Sequence, residues 1–508
     1  MSNNNTIDLR GKKPSPEGEG WVMGNHNKGK NPFKCPHPSL LSKEKGVRVL
    51  NSTTNEMGGI SQEFAVFMDT AKMKALFQQE LPDCLSGNWK LTNCQIQHPR
   101  YKTYLNPKSR NKSFLALAYH LEGVNEQTQA ADNRILYVKA YLGERSQTEY
   151  LKVCADPSQQ GAVLHIEKLG MIGWFFPGDP ALPWLSKVLD KEFIRNYFAD
   201  FLLLQYDLPF IAIREIALSI INYRPEIRCT YRYDIERLAG ATQTLYGKTF
   251  ADGSGAEIHR RIVDLYQHME NRRENFVMPW LLGYDYILHT LWMDGLDGIP
   301  LLDIVNEQNA DRLMARLARH LVDFHSVTID GLETISAEEQ LAEIEKKCTK
   351  LQNVFPGLSK RIKAVLVNLS EQKPDTPLGS LRLIHGDFHI QQLLLLDDNR
   401  IALFDFDELA IADPLVDVAN FSADLYTLKL GKCFTEKLIK QLFTAYKAAS
   451  DNDINAAHFA WHLRVQLLTR AYRAYSQQKP NLEYLVEQFL VTAEVGYVDG
   501  YVEKERSK

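Results

Sequence analysis

Two apolar runs, Leu393 to Leu396 and Ile401 to Phe404, flank the turn-forming pair Asp398-Asn399, and no other feature of the 508 residues restricts the fold as tightly. The pattern predicts a β-hairpin. With a two-residue loop, Asp397 faces Arg400, and the same register sets Gln392 opposite Asp405. Opposed Cα atoms in such a ladder lie about 4.5–5.5 Å apart, so an amide oxygen and a carboxylate converge at the open end.

A hard cation suits that pair. Mg²⁺ is usually held by one or two protein oxygens and completes its shell with phosphates and water, so phosphate chemistry is implied. Upstream of Gln392, Asp387 follows Gly386 in a short loop, where its carboxylate can receive a hydroxyl proton while facing the metal. That placement makes Asp387 the candidate general base.

Composition excludes several rival classes. Hydrophobic residues make up 44% and charged residues 24%, and 59 basic against 63 acidic residues leave a net charge of −4. These values fit an ordinary globular protein. They lack the positive field that drives binding to nucleic-acid backbones. Seven scattered cysteines without a Cys-x-x-Cys pair argue against a disulfide framework or zinc knuckle. The first twenty residues show no signal-peptide core and no apolar run is long enough for a bilayer, so a cytoplasmic protein without a membrane partner is expected.

Along the chain, residues 1–58 are rich in Asn, Gly, Lys, Pro and Ser and read as a solvated, disordered tail. Residues 59–204 read as a mixed α+β module, with a helix over 61–81 and strands near Phe114 to Leu121 and Ile135 to Tyr141. Three prolines, Pro177, Pro180 and Pro183, break the stretch 174–185. Its aromatics Trp174, Phe175, Phe176 and Trp184 are expected to pack in a core. Residues 227–235 alternate apolar and polar side chains, as a half-buried strand requires. The next strand, Leu245 to Phe250, carries Lys248, and a helix begins near Glu257. Beyond Ile299 the spacing becomes mainly helical, as over Ala310 to His325 and Ala337 to Leu351.

The two strand regions echo each other. LYVKAYLGERSQTEYL and LYGKTFADGSGAEIHRRI run in parallel, with Lys139 ten residues before Glu149 and Lys248 nine before Glu257. Arg100-Tyr101-Lys102 and Asn222-Tyr223-Arg224 open the two modules. A duplicated sheet-and-helix unit follows as an expectation.

The segment His385-Gly386-Asp387, Gln392, Asp405-Phe406-Asp407, Asp413-Pro414 and Asp417-Val418-Ala419-Asn420 resembles the catalytic core of the aminoglycoside phosphotransferase and maltokinase-like branch of the protein-kinase-like superfamily. The likeness is tight over this segment and looser from 205 to 475, where Phe324-His325 resembles the family's Leu-His. It implies an α+β, protein-kinase-like bilobal fold: a small β-rich lobe with its hinge over 205–297, a large mainly helical lobe over 298–508, and the 59–204 module as an N-terminal addition. It further implies ATP and Mg²⁺ as cofactors, with Asp387 as base and Gln392 and Asp405 as metal ligands. Asp417 and His385 would support the catalytic loop, Lys248 would hold the ATP phosphates, and Glu257 would be its ion-pair partner. Chain order favours Lys248 over Lys139, because only Lys248 is followed by a strand (Tyr286 to Trp292) and a Gly-containing crossover at Gly295 and Gly298, as a lobe hinge requires.

Three departures from protein kinases stand out. The amide is Gln392 rather than Asn. Asp407 replaces a glycine, and either adds a second carboxylate to the metal or faces solvent. No G-x-G-x-x-G precedes Lys248, so the phosphate-covering turn is sought near Arg224-Pro225-Glu226. Few residues separate Asp405 from Asp413-Pro414, which leaves no room for an activation loop and favours a small-molecule hydroxyl, such as that of a sugar or amino sugar, over a protein acceptor. The rival expectations are a nucleotide-binding pseudokinase serving as a scaffold, and nucleotidyl transfer on the same fold.

Overall fold

Two antiparallel sheets carry the period-two segments of the first three hundred residues in this computed structural model, which describes residues 62–496 except 157–161, 207–212, 239, 241, 270–275, 376–379 and 451–453. The tail expected over 1–58 lies outside the described residues. The helix expected over 61–81 is divided into α1 (Gln62–Ala65) and α2 (Thr70–Glu80). Asp69 causes the break: its side chain accepts the Lys72 N–H at 3.1 Å and caps the second helix. After α3 (Pro82–Leu85) come β1 (Trp89–Lys102), β2 (Phe114–Asn125), β3 (Ala131–Tyr141), α4 (Arg145–Cys154), β4 (Val163–Ile166) and β5 (Met171–Phe175). The sheet order is β1-β2-β3-β5-β4.

Helices α5 (Leu185–Val188) and α6 (Lys191–Tyr206) lead to β6 (Ile213–Arg224), β7 (Arg228–Arg237), β8 (Thr242–Phe250), α7 (Ser254–Met269), β9 (Phe276–Val277), β10 (Leu281–Asp285) and β11 (Thr290–Asp294). The second sheet runs β10-β11-β8-β7-β6, the same order as the first once β9 joins another sheet. The registers also coincide. Arg100, Ala116, Lys139 and Ile172 form one rung of the first sheet. Asn222, Thr230, Lys248 and Leu291 form the matching rung of the second. Tyr101 and Tyr223 follow these rungs, and each is 5% exposed. The two Tyr-containing tripeptides thus close a first strand rather than preceding it.

Along β7, Cys229, Tyr231, Tyr233 and Ile235 are fully buried, as their alternation predicted. They pack with Trp292 and with Val188 and Phe198 of the overlying helices. Burying each such large side chain stabilises the sheet by about 1.5–3 kcal/mol. The expected strand Tyr286 to Trp292 starts instead at Thr290. Tyr286 and Ile287 form an exposed turn, whose shape is held by Asp285 accepting the N–H groups of Ile287 and Leu288 at 2.7 and 2.8 Å.

The remainder is mainly helical. It comprises β12 (Ile299–Pro300), α8 (Leu301–Ile304), α9 (Ala310–His325), β13 (Thr334–Ile335), α10 (Ala337–Val354), α11 (Ser359–Glu371), β14 (Arg382–Ile384), β15 (Leu393–Leu395), β16 (Ile401–Leu403), β17 (Ala410–Ala412) and α12 (Leu415–Leu425). Helices α13 (Lys432–Ala449), α14 (Ala456–Ser476) and α15 (Leu482–Val495) complete it. Beyond the expected hairpin, short strands β13, β14 and β17 make a small sheet beside it. The whole is a mixed α+β fold in which a β-rich lobe precedes a helical one.

Candidate active site

The hairpin β15–β16 forms, but with its register displaced by one residue. Leu393 pairs with Leu403 and Leu395 with Ile401, and the Leu396 N–H donates to the Arg400 carbonyl. The loop therefore has three residues, 397–399. Asn399 takes the left-handed conformation, φ 64°, that a three-residue hairpin turn needs. Gln392 consequently faces Phe404, whose N–H donates to the Gln392 carbonyl at 3.3 Å, and not Asp405.

Asp405 lies one position beyond that pairing and is itself left-handed, φ 70°. The backbone turns there into a short 3-10 segment, Phe406–Glu408, so the extended-chain argument for Asp407 does not apply. Of the two alternatives expected for Asp407, facing solvent does not match its surroundings. Its side chain is only 8% exposed, and it accepts from Lys248 Nζ at 2.6 Å and from Arg228 Nη1. Lys248 Nζ also donates to Asp405 at 2.6 Å. Burial opposes ionisation of Asp405, but the charges of Lys248 and Arg228 outweigh it and hold the carboxyl below the usual carboxylate range.

Sheet register explains this gathering of cations. Lys248 opposes Thr230, and Arg228 lies two residues along the same strand, so both project from one face. Arg224 opposes Arg228 across β6–β7 and joins them. Burial and the repulsion of Arg228 lower the Arg224 pKa, while Asp405 and Asp387 pull it back. Arg224 thus shares the fields of both carboxylates. The strand alternation placed Arg228 among polar positions, and its diagonal relation to Lys248 was the signal that would have found it.

Asp417 is fully buried near the start of α12 and holds the loop that carries Asp387. It accepts the backbone N–H of His385 at 2.7 Å and of Gly386 at 3.0 Å, and lies 3.1 Å from His325 Nε2. His385 is also buried, with its Nε2 3.2 Å from the Phe404 carbonyl, tying this loop to the residue before Asp405. Gly386 has φ +82°, and an added Cβ would lie 2.2 Å from the Glu408 carbonyl oxygen. Only glycine fits there. Asp387 itself remains partly open, its side chain 33% exposed, with His389 Nε2 3.8 Å away. Burial pushes the His389 pKa down, against the pull of Asp424 and Asp387.

Glu257 does not join this group. It is bound to Arg260 at 2.7 Å and Arg261 at 3.0 Å on its own helix, and Arg260 foremost holds its pKa down to about 2. The expected Lys248–Glu257 ion pair is replaced by Lys248–Asp405 and Lys248–Asp407.

The donor set fits Mg²⁺ of the phosphate-sharing kind. Gln392 is 3% exposed, and its side-chain Oε1 is buried without a hydrogen-bond partner. An unpaired buried acceptor is costly unless a cation or donor completes it. Among the described residues no group of three or more His, Cys, Asp or Glu side chains is placed to hold a metal ion by itself. Among the described residues no helix is long and apolar enough to cross a membrane.

Residues 237–457 match the profile of the phosphotransferase enzyme family (APH). No curated protein matches the chain. Among solved structures, the streptomycin–ATP ternary complex of APH(2")-IIa is 18% identical, covering 59% of this chain and 96% of that one, with a TM-score of 0.39. The apoenzyme of macrolide 2'-phosphotransferase MphH from Brachybacterium faecium is 13% identical, covering 58% and 98%, with a TM-score of 0.40. Spectinomycin phosphotransferase APH(9)-Ia with ADP and its antibiotic is 12% identical, covering 61% and 96%, with a TM-score of 0.38. Residues 237–457 are thus the part of this chain that is similar to the phosphotransferase enzyme family.

Proposed function

We propose that this protein transfers the γ-phosphoryl group of ATP, with Mg²⁺, to a hydroxyl of a polar small molecule, most simply a sugar or amino sugar. The observation that carries this reading is the Lys248–Asp405 ion pair just beyond a hairpin at whose start Gln392 keeps a buried side-chain oxygen without a hydrogen-bond partner. In it, Lys248 steers the phosphates, and Arg224 and Arg228 add positive charge above them. Gln392 and Asp405 would hold Mg²⁺, which supplies charge neutralisation to the phosphates when bound. Asp387 accepts the proton of the attacking hydroxyl, and the buried Asp417 fixes the loop that aims it.

The few residues between Asp405 and Asp413 support a small acceptor, because no long segment is present there to bind a protein chain. Calorimetry with ATP, with and without Mg²⁺, followed by turnover with sugars, amino sugars and aminoglycosides, tests the reading. Mg²⁺-dependent ATP binding with turnover supports it. Binding without turnover on any acceptor favours the scaffold alternative, and no binding at all contradicts both.

A further inference from the structure

Lys139 occupies the same rung of the first sheet that Lys248 occupies in the second, yet its carboxylate partner comes from the other sheet. Its Nζ donates to Glu226 Oε1 at 2.8 Å. Tyr137, on the same face of β3, donates to Glu226 Oε2 at 3.1 Å, and Arg100, two strands away on the matching rung, lies 3.4 Å from that oxygen. Glu226 sits in the turn of the β6–β7 hairpin, between Arg224 and Arg228. Its backbone N–H donates at 2.8 Å to Asp179, which is 1% exposed and also accepts from the Tyr223 hydroxyl at 2.8 Å. Burial raises the Asp179 pKa, opposed by these donors.

Glu226 therefore has both its side chain and its main chain held from outside its own sheet. It also holds φ 62°, a conformation that a glutamate adopts only when its surroundings over-determine it. Beside the turn, Arg228 reaches Asp407, and Arg224 lies in the field of Asp405 and Asp387. A glycine-rich turn would cover phosphates with backbone N–H groups. This turn has no glycine, its Glu226 and Ile227 N–H groups are taken by Asp179 and the Arg224 carbonyl, and it offers guanidinium groups on a backbone that needs external support.

We propose that the first sheet is a small-lobe copy whose lysine no longer serves a nucleotide of its own, but clamps Glu226 and so holds the Arg224–Arg228 turn over the nucleotide site of the second sheet. Lys139, Tyr137 and Arg100 are positioning residues in this scheme. The scheme rests on the phosphotransferase reading for what the turn covers, but not for the clamp itself.

The test uses the full chain as Lys139→Met, Glu226→Gln and the double variant, with Lys139→Arg as the charge-conserving control. Hydrogen exchange of residues 219–232 is followed together with the Kd for Mg-ATP and kcat. Loss of a charged hydrogen-bonded pair should speed exchange in this hairpin about tenfold in each single variant, with no further gain in the double. The Kd for Mg-ATP should rise about five- to tenfold, with kcat changed less than about twofold, and Lys139→Arg should recover most of the affinity. Unchanged hairpin exchange, additive single effects, or a loss confined to kcat would overturn the clamp. Exchange responds whether or not nucleotide binds, so a wild-type chain that ignores Mg-ATP would contradict the phosphotransferase reading while the clamp is still decided.

Discussion

The Lys248 ammonium stands 2.6 Å from the Asp405 carboxylate across 157 positions of sequence, joining the middle of the second sheet to the end of the β15–β16 hairpin. The same nitrogen reaches Asp407, so one cation links two acidic groups that would otherwise repel each other in a largely buried place. Lys248 and the Asp407 side chain are 7% and 8% exposed.

Removing that cation should cost both binding and stability. Lys248→Met is expected to weaken Mg-ATP binding at least about tenfold and to destabilise the fold by about 3 kcal/mol, since breaking a buried pair strands its charges. Calorimetry and chemical denaturation read the two effects. Glu257→Gln provides the contrast: its exposed pairs with Arg260 and Arg261 predict a change within about 0.5 kcal/mol and an unaltered affinity for ATP.

Gly386→Ala should be severe. The new methyl meets the Glu408 carbonyl while the backbone stays left-handed, so a loss of roughly 2–4 kcal/mol is expected, well above that of an average substitution. Urea denaturation measures it. A variant as stable as wild type would mean that the loop before Asp387 takes another path.

Asp417→Ala removes the acceptor for the His385 and Gly386 N–H groups without touching Asp387. Misplacing the base should lower kcat about ten- to a hundredfold while the KM for ATP stays within about twofold. Steady-state kinetics with saturating acceptor separates these parameters. An equal loss in both would assign Asp417 to nucleotide binding instead.

His320 sets a pH dependence of stability. Burial foremost, then Arg316 and Arg319, lowers its pKa from 6.5 to about 4. The unfolded chain therefore takes up this proton first as the solution is acidified. The contribution is complete above pH 6.5 and disappears as pH falls toward 4, for a total on the order of 3 kcal/mol. His389, also lowered by burial, acts in the same direction. Thermal melts across pH 4–7 should flatten in His320→Gln. An acid limb identical to wild type would exclude this histidine as its source.

The readable parts of the chain are those where one short-range rule dominates. Alternation along β7 marked its buried face, and two apolar runs marked the hairpin that follows Gln392 and leads to Asp405. The one-residue displacement of the hairpin was not readable, because it depends on whether Asn399 goes left-handed, which Asp398-Asn399 permits without requiring. Glu257 misled for another reason: sequence spacing places a carboxylate near a lysine, but two arginines on its own helix compete for it. The likeness between Lys139 and Lys248 was visible as text. That Lys139 holds Glu226 depends on how two sheets dock, which no local pattern records.

Phosphorus-31 NMR of the full chain with ATP, Mg²⁺ and a panel of sugars, amino sugars and aminoglycosides tests the central claim most directly, comparing wild type with Asp387→Asn and Asp405→Asn. The account predicts a new phosphomonoester signal for wild type with at least one acceptor, reduced by about a hundredfold or more in both variants. A phosphomonoester formed equally by all three proteins would contradict it.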